Sequence, residues 1–243
     1  GKTTISGMIV DYLTKKKLTP ILAVDADPNS NLNEVLGVDI VITLGDIREK
    51  MQNKDSAESK APANITRQEY ADFMFNDALV EENDFDMLVM GRTQGAGCYC
   101  YVNSILKTQI EKYRGSYRYI VVDSEAGFEH ISRGIMPYID ILLLISDASR
   151  RGIQTAGRVA AIARDLKLQP KLTKLIVNRA PAGVLDTGIY GEIDKQKLEL
   201  TGIVPQDETV YRYDVDGKPS SQVPAYSAVK IAIKEIMDKL LAG

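Results

Sequence analysis

The chain has 243 residues, 44% of them hydrophobic, which suits one large α/β domain or two small ones with a sizeable core. Its 30 Lys and Arg nearly balance 33 Asp and Glu, so a formal net charge of −3 offers no overall basic field to nucleic acid or an acidic membrane. No apolar run reaches the roughly 18 residues that span a bilayer and no signal-peptide pattern is present, so the expectation is a cytoplasmic protein with no membrane or nucleic-acid partner.

In chain order, Gly1-Lys2-Thr3-Thr4 opens a helical pattern with Ile5, Met8, Ile9, Tyr12 and Leu13 on one face. Pro20 then opens a strand, Ile21 to Val24, that ends in Asp25-Ala26-Asp27-Pro28. Gln52 to Thr66 is polar and reads as a surface loop or insertion. Further short apolar runs, at Met87–Met90, Tyr119–Val122, Ile141–Ile145, Leu175–Val177 and Ile203–Val204, read as buried strands of a parallel sheet. Helical patterns at Tyr101–Tyr113, Ile153–Leu166 and Tyr190–Leu200 lie between them, and Val229 to Leu241 closes the chain. This alternation predicts one α/β domain over 1–243, a doubly wound, mostly parallel sheet flanked by helices.

Gly1-Lys2-Thr3-Thr4 at a helix start matches the second half of a phosphate-binding loop. There, backbone amides cradle phosphates, the lysine reaches the β and γ oxygens, and a hydroxyl binds Mg²⁺. The first glycine and the preceding strand of that motif are absent, so the sequence is expected to begin inside a longer chain. Asp25 and Asp27 follow a strand at the end where open α/β sheets bind ligands, and Asp27 is placed to order a water for attack on a γ-phosphate. Ile120-Val121-Val122-Asp123 is an apolar strand ending in an acid suited to Mg²⁺. Gly127, four residues on, is placed to sense the γ-phosphate by its amide. Asn178-Arg179 and Pro205 also end strands and are candidates to read and wall an adenine. These residues make ATP or ADP with Mg²⁺ the expected ligands.

Two cysteines remain, in Gly97-Cys98-Tyr99-Cys100, after a glycine-rich stretch. That crowding suggests an exposed loop rather than a pair buried for packing, and Cys-X-Cys is a strained spacing for a redox pair. Two thiolates can chelate a soft metal but do not complete a tetrahedral site.

Taken together, these motifs resemble the deviant Walker-A ATPases, which include septum-positioning and partitioning ATPases, the nitrogenase iron protein and metal-insertion ATPases. Their signature lysine, which reaches into the partner subunit's site, would lie upstream of Gly1. Asp123-Ser124-Glu125-Ala126-Gly127-Phe128-Glu129-His130 with Arg133-Gly134, and Gly97-Cys98-Tyr99-Cys100-Tyr101-Val102-Asn103, are similar to the carbon monoxide dehydrogenase maturation ATPases of the CooC type, including acetyl-CoA synthase relatives. The resemblance implies a homodimer formed on nucleotide and metal binding, and an ATPase that assists nickel delivery to a client nickel enzyme. Two copies of Cys98 and Cys100 at a dimer axis would give four thiolates, suited to Zn²⁺ and also able to take Ni²⁺. His130, the only histidine, is either a rival ligand or a residue that orders the loop after Asp123.

Three other readings stay open. A spatial-positioning ATPase would act on membrane or DNA through Lys230, Lys234 and Lys239 or through Arg150, Arg151, Arg158 and Arg164. An iron–sulfur reductase-like ATPase would bridge a cluster between subunits. A passive metal carrier would have lost hydrolysis.

Overall fold

The strand Ile21–Asp25 is buried along its whole length, and the alternation of its side chains shows why. The computed structural model describes residues 1–52, 64–92, 100–124, 138–165 and 170–242. Helix α1 (Lys2–Lys15) leads to β1 (Ile21–Asp25), followed by α2 (Leu32–Leu36), α3 (Leu44–Gln52) and α4 (Arg67–Asp77). Then come β2 (Val80–Glu81), β3 (Asp86–Val89), α5 (Cys100–Tyr113) and β4 (Tyr119–Asp123). The second half holds β5 (Ile141–Asp147), α6 (Arg150–Asp165), β6 (Leu172–Ala180), α7 (Thr187–Lys195), β7 (Leu200–Pro205), α8 (Glu208–Val215) and α9 (Ala228–Ala242).

Within β1, Leu22 and Val24 pack with α3, α4 and α5 through Leu44, Ile47, Phe75, Leu106 and Ile110. Ala23 points the other way, toward Val10 of α1 and Leu32 and Leu36 of α2. The same period of two recurs in β6: Ile176 joins α1 and α9, whereas Leu175 and Val177 join α6 and α7. Helices therefore cover both faces, as the buried apolar runs predict. The expected apolar face of α1 is buried throughout, and Val10 is buried as well because α2 packs on that side. At that crossing Gly7 has no room for a side chain, since a Cβ would stand 2.2 Å from Val35 Cγ1.

The strands hydrogen-bond as two sheets, ordered β2-β3-β1-β4 and β5-β6-β7. Every pairing is parallel except β2 with β3. The outer edges of β4 and β5 line a cavity of about 610 Å³, walled by Val121 and Leu143 from the strands, Ile9 and Leu13 of α1, and Met237 of α9.

Several boundaries differ from the sequence expectation. The helix expected over Tyr190–Leu200 stops at Lys195, because Lys197 turns left-handed (φ 53°) and Leu198 N–H donates back to the Ile193 carbonyl; Leu200 already starts β7. Strand β6 runs well beyond Leu175–Val177, since polar Thr173 and Lys174 pair with β5. In the polar stretch from Gln52 to Thr66, Gln52 ends α3 and Thr66 caps α4 in a reciprocal box with Glu69, while residues 53–63 lie outside the described residues. Leu166 also lies outside them.

Candidate functional site

The first turn of α1 starts at Gly1, with no side chain capping its free amides and no acid in the turn, which is the arrangement an anion needs. It faces the carboxyl ends of β1 and β4, where Asp25 and Asp123 are register partners. Asp123 is buried, and its Oδ1 accepts from Ser6 Oγ at 2.9 Å. Burial pushes its carboxyl above the usual range; hydrogen bonds from Thr3 and Ser6 and the charge of Lys2 pull the other way, and Asp27 adds to the rise. Thus Lys2, Thr3, Ser6, Asp27 and Asp123 share one small volume.

Asp25 is fully buried, and both its oxygens are committed to the backbone. Oδ1 accepts from Asp27 N at 3.0 Å and Oδ2 from Leu32 N at 2.9 Å. Burial raises its pKa to about 6, the two backbone bonds oppose that rise, and the charges of Asp123 and Asp27 add to it. Asp25 therefore organises the turn that presents Asp27. The half-buried Asp27 carboxylate accepts Asn29 N at 2.8 Å.

Asn178 reaches the same end of α1: its Nδ2 donates to the Gly1 carbonyl at 3.4 Å and leaves no space for a side chain on Gly1. Arg179, at φ 56°, follows it where the β6–β7 register shifts. Pro205 ends β7 opposite Ala180, one residue after Arg179 in β6. Thr4 lies half-buried in the first turn.

Cys98, Gly127 and His130 lie outside the described residues, as do Gly97, Tyr99, Glu125 to Glu129, Arg133 and Gly134. Cys100 opens α5, but its side chain is outside them too. Among the described residues, no group of three or more His, Cys, Asp and Glu side chains is arranged to hold a metal ion. The pair Thr3 and Asp123 supplies a hydroxyl and a carboxylate, hard oxygen donors of the kind Mg²⁺ takes alongside water and phosphate. Sequence reasoning overlooked Ser6. Its signal was its position one turn beyond Lys2, which turns its hydroxyl toward the same strand end.

The family model for the CobQ/CobB/MinD/ParA nucleotide binding domain matches residues 1–220. The chain belongs to this family. Among its relatives is an uncharacterised ATP-binding protein of Methanocaldococcus jannaschii, MJ0685, 36% identical over 241 residues, covering 99% of this chain and 94% of the relative. The carbon monoxide dehydrogenase accessory protein CooC of Rhodospirillum rubrum is 26% identical over 226 residues, covering 89% and 84% respectively. In fold, the chain is similar to the septum site-determining protein MinD of Pyrococcus horikoshii, solved with Mg-ADP, at a TM-score of 0.72 and 21% identity, covering 100% of this chain and 92% of that one. The chain is a MinD/ParA-like ATPase, and the uncapped first turn of α1 stands at the carboxyl ends of β1 and β4, the end at which open α/β sheets take ligands.

Proposed function

We propose that this ATPase is a metallochaperone that uses nucleotide-linked dimerisation to deliver nickel to a carbon monoxide dehydrogenase or acetyl-CoA synthase. The observation that carries the reading is where the cysteines fall along the chain. Cys98-Tyr99-Cys100 stands in the connection from β3 to α5, and the residue after β3, Met90, gives its N–H to the Asp25 carbonyl at 2.8 Å. The only cysteines of the chain thus follow a segment tied to the candidate phosphate site. The likeness to CooC supports the same assignment.

In this reading Gly1, Lys2, Thr3, Thr4 and Gly127 hold the phosphates of ATP. Thr3 and Asp123 are the residues that would hold Mg²⁺, which supplies charge neutralisation when bound. Asn178, Arg179 and Pro205 face the base. Asp27 orients the water that attacks the γ-phosphorus, the bond to the bridging oxygen breaks, and ADP leaves with its charge met by Lys2. Cys98 and Cys100 from two subunits bind the metal cargo as four thiolates, and hydrolysis loosens the dimer. The protein acts in the cytoplasm, and His130 orders the loop after Asp123.

The apolar face of α9 argues against a membrane role for that helix, since Val229, Ile233, Ile236, Met237 and Leu240 are packed into the core. Metal content and mass measured with and without ADP and ATP test the proposal. One metal per two chains with ATP, lost in Cys98→Ser/Cys100→Ser, is the expected result. Sedimentation with liposomes or DNA, or the visible absorption of a cluster, would replace it with a positioning or electron-transfer role.

A further inference from the structure

The segment after β3 is clamped on two sides. Gly45, in the first turn of α3, donates its N–H to the Met90 carbonyl at 2.8 Å, and a Cβ there would stand 2.4 Å from the Arg92 carbonyl. Gly91 takes φ 68° directly against Thr43, whose Oγ1 would be 2.2 Å from any Cβ. Both contacts need glycine, so the main chain that carries Arg92 has little freedom.

From that fixed base the exposed Arg92 side chain crosses to the turn after β1, where Nη2 donates to Asn29 Oδ1. Asn29 in turn gives its backbone N–H to Asp27 Oδ1. Within the turn, Ser30 N and Oγ donate to the Asp27 carbonyl, and Ser30 sits at φ 50°, where a side chain is disfavoured. Asp25 fixes the start of the turn through Asp27 N and its far end through Leu32 N, and among the described residues Arg92 is the hydrogen-bond partner that Asn29 has outside the turn.

We propose that Arg92 is the positioning residue for Asp27: through Asn29, it anchors the turn that presents this carboxylate to the clamped end of β3. The inference rests on the reading of Asp27 as the group that orients water. Arg92 itself need not touch nucleotide. It reduces the range of positions the Asp27 carboxylate samples, which acts on the hydrolytic step rather than on binding.

The test is steady-state ATP hydrolysis by the full-length protein with Arg92→Ala, Asn29→Ala and the double variant. Each single change is expected to lower kcat about tenfold with KM for ATP within about twofold, as loss of a positioning contact does. The double variant should be no slower than the worse single, because both remove one link. Arg92→Lys, which keeps a donor and the charge, should recover most of the rate. Multiplying losses in the double variant, or a raised KM with kcat kept, would overturn the inference. Asp27→Ala separates the two layers. If it abolishes hydrolysis while Arg92→Ala and Asn29→Ala run at the wild-type rate, the positioning role fails alone. If Asp27→Ala itself hydrolyses ATP normally, the role of Asp27 fails and this inference with it.

Discussion

Asp25→Ala should have a cost that depends on pH in an unusual direction. Asp25 is completely buried and its pKa is raised to about 6, against 3.8 for the free group, by burial first. A raised carboxylate pKa means that the folded state binds the proton more tightly than the unfolded chain. The stability this contributes is full below about pH 3.8 and is lost as pH rises through about 6. At pH 7.5 ionised Asp25 costs the fold about 3 kcal/mol relative to its protonated form, from a shift of about two units at 1.36 kcal/mol each. Alanine abolishes that titration but leaves the amides of Asp27 and Leu32 without acceptors, each worth about 1–3 kcal/mol when buried. Those amides do not titrate, so their loss is the same at every pH. The destabilisation by Asp25→Ala should therefore be about 2 kcal/mol larger at pH 4.5 than at pH 7.5. Urea unfolding of the nucleotide-free protein, followed by circular dichroism at both values, measures it. An equal destabilisation at the two pH values, or a larger one at pH 7.5, would refute the account of a carboxylate held against its own desolvation.

Asp11 accepts from Lys230, a lysine whose side chain is only 8% exposed and whose pKa burial lowers, so Asp11→Ala should destabilise by about 3 kcal/mol while Asp11→Ala/Lys230→Met recovers most of it in urea titrations. A Cβ on Gly202 would stand 2.3 Å from Ile236 Cγ1 of α9, so Gly202→Ala should cost about 1–3 kcal/mol. Combined with Ile236→Ala, which opens space at that point, the loss should be less than the sum of the two singles, and an additive double variant would contradict the contact. Ser6→Ala removes the hydroxyl that donates to buried Asp123 and should lower stability by about 1 kcal/mol, seen as a fall in the urea midpoint with an unchanged slope.

The sheet strands were legible because burial on both faces leaves an uninterrupted apolar run, and β1, β3, β4 and β5 all carry one. Helices α2, α4 and α8 were not, for a different reason in each case. Helix α2 is only five residues long, too short for a period to register. Helix α4 buries Met74 and Phe75, but its polar remainder gives almost no amphipathic contrast; its start is marked only by the Thr66–Glu69 box. Helix α8 has no buried residue at all and is held at its start by Asp207, which accepts from Thr209 N. At the site, Lys2, Thr3, Asp27 and Asp123 could be named because motif spacing encodes chemistry. Ser6, Asn29 and Arg92 could not, because what selects them is contact across 117 residues in one case and 63 in another.

Three strand ends are tied together where this chemistry would occur, and the ties are all backbone. Ala26 N donates to the Asp123 carbonyl at 2.9 Å and Met90 N to the Asp25 carbonyl at 2.8 Å, so the ends of β4, β1 and β3 form one hydrogen-bonded row. Side chains then hang loops from that row: Asp25 holds the Asp27 turn and Leu32 of α2, Ser6 joins α1 to Asp123, and Arg92 joins the β3 end to Asn29. A phosphate bound at the first turn of α1 would bear on Asp123 through Thr3 and Ser6. Among the described residues, its routes to the end of β3 are the Asp27 turn and the row itself. The row is held by backbone bonds and the turn by side chains, so a nucleotide-dependent change at the cysteines should be sensitive to Arg92 and Asn29 and insensitive to substitutions on the helix faces of β1. Measured as ATP-dependent dimer fraction in Arg92→Ala against Ala23→Gly, an equal response in the two would move the coupling from the turn to the sheet.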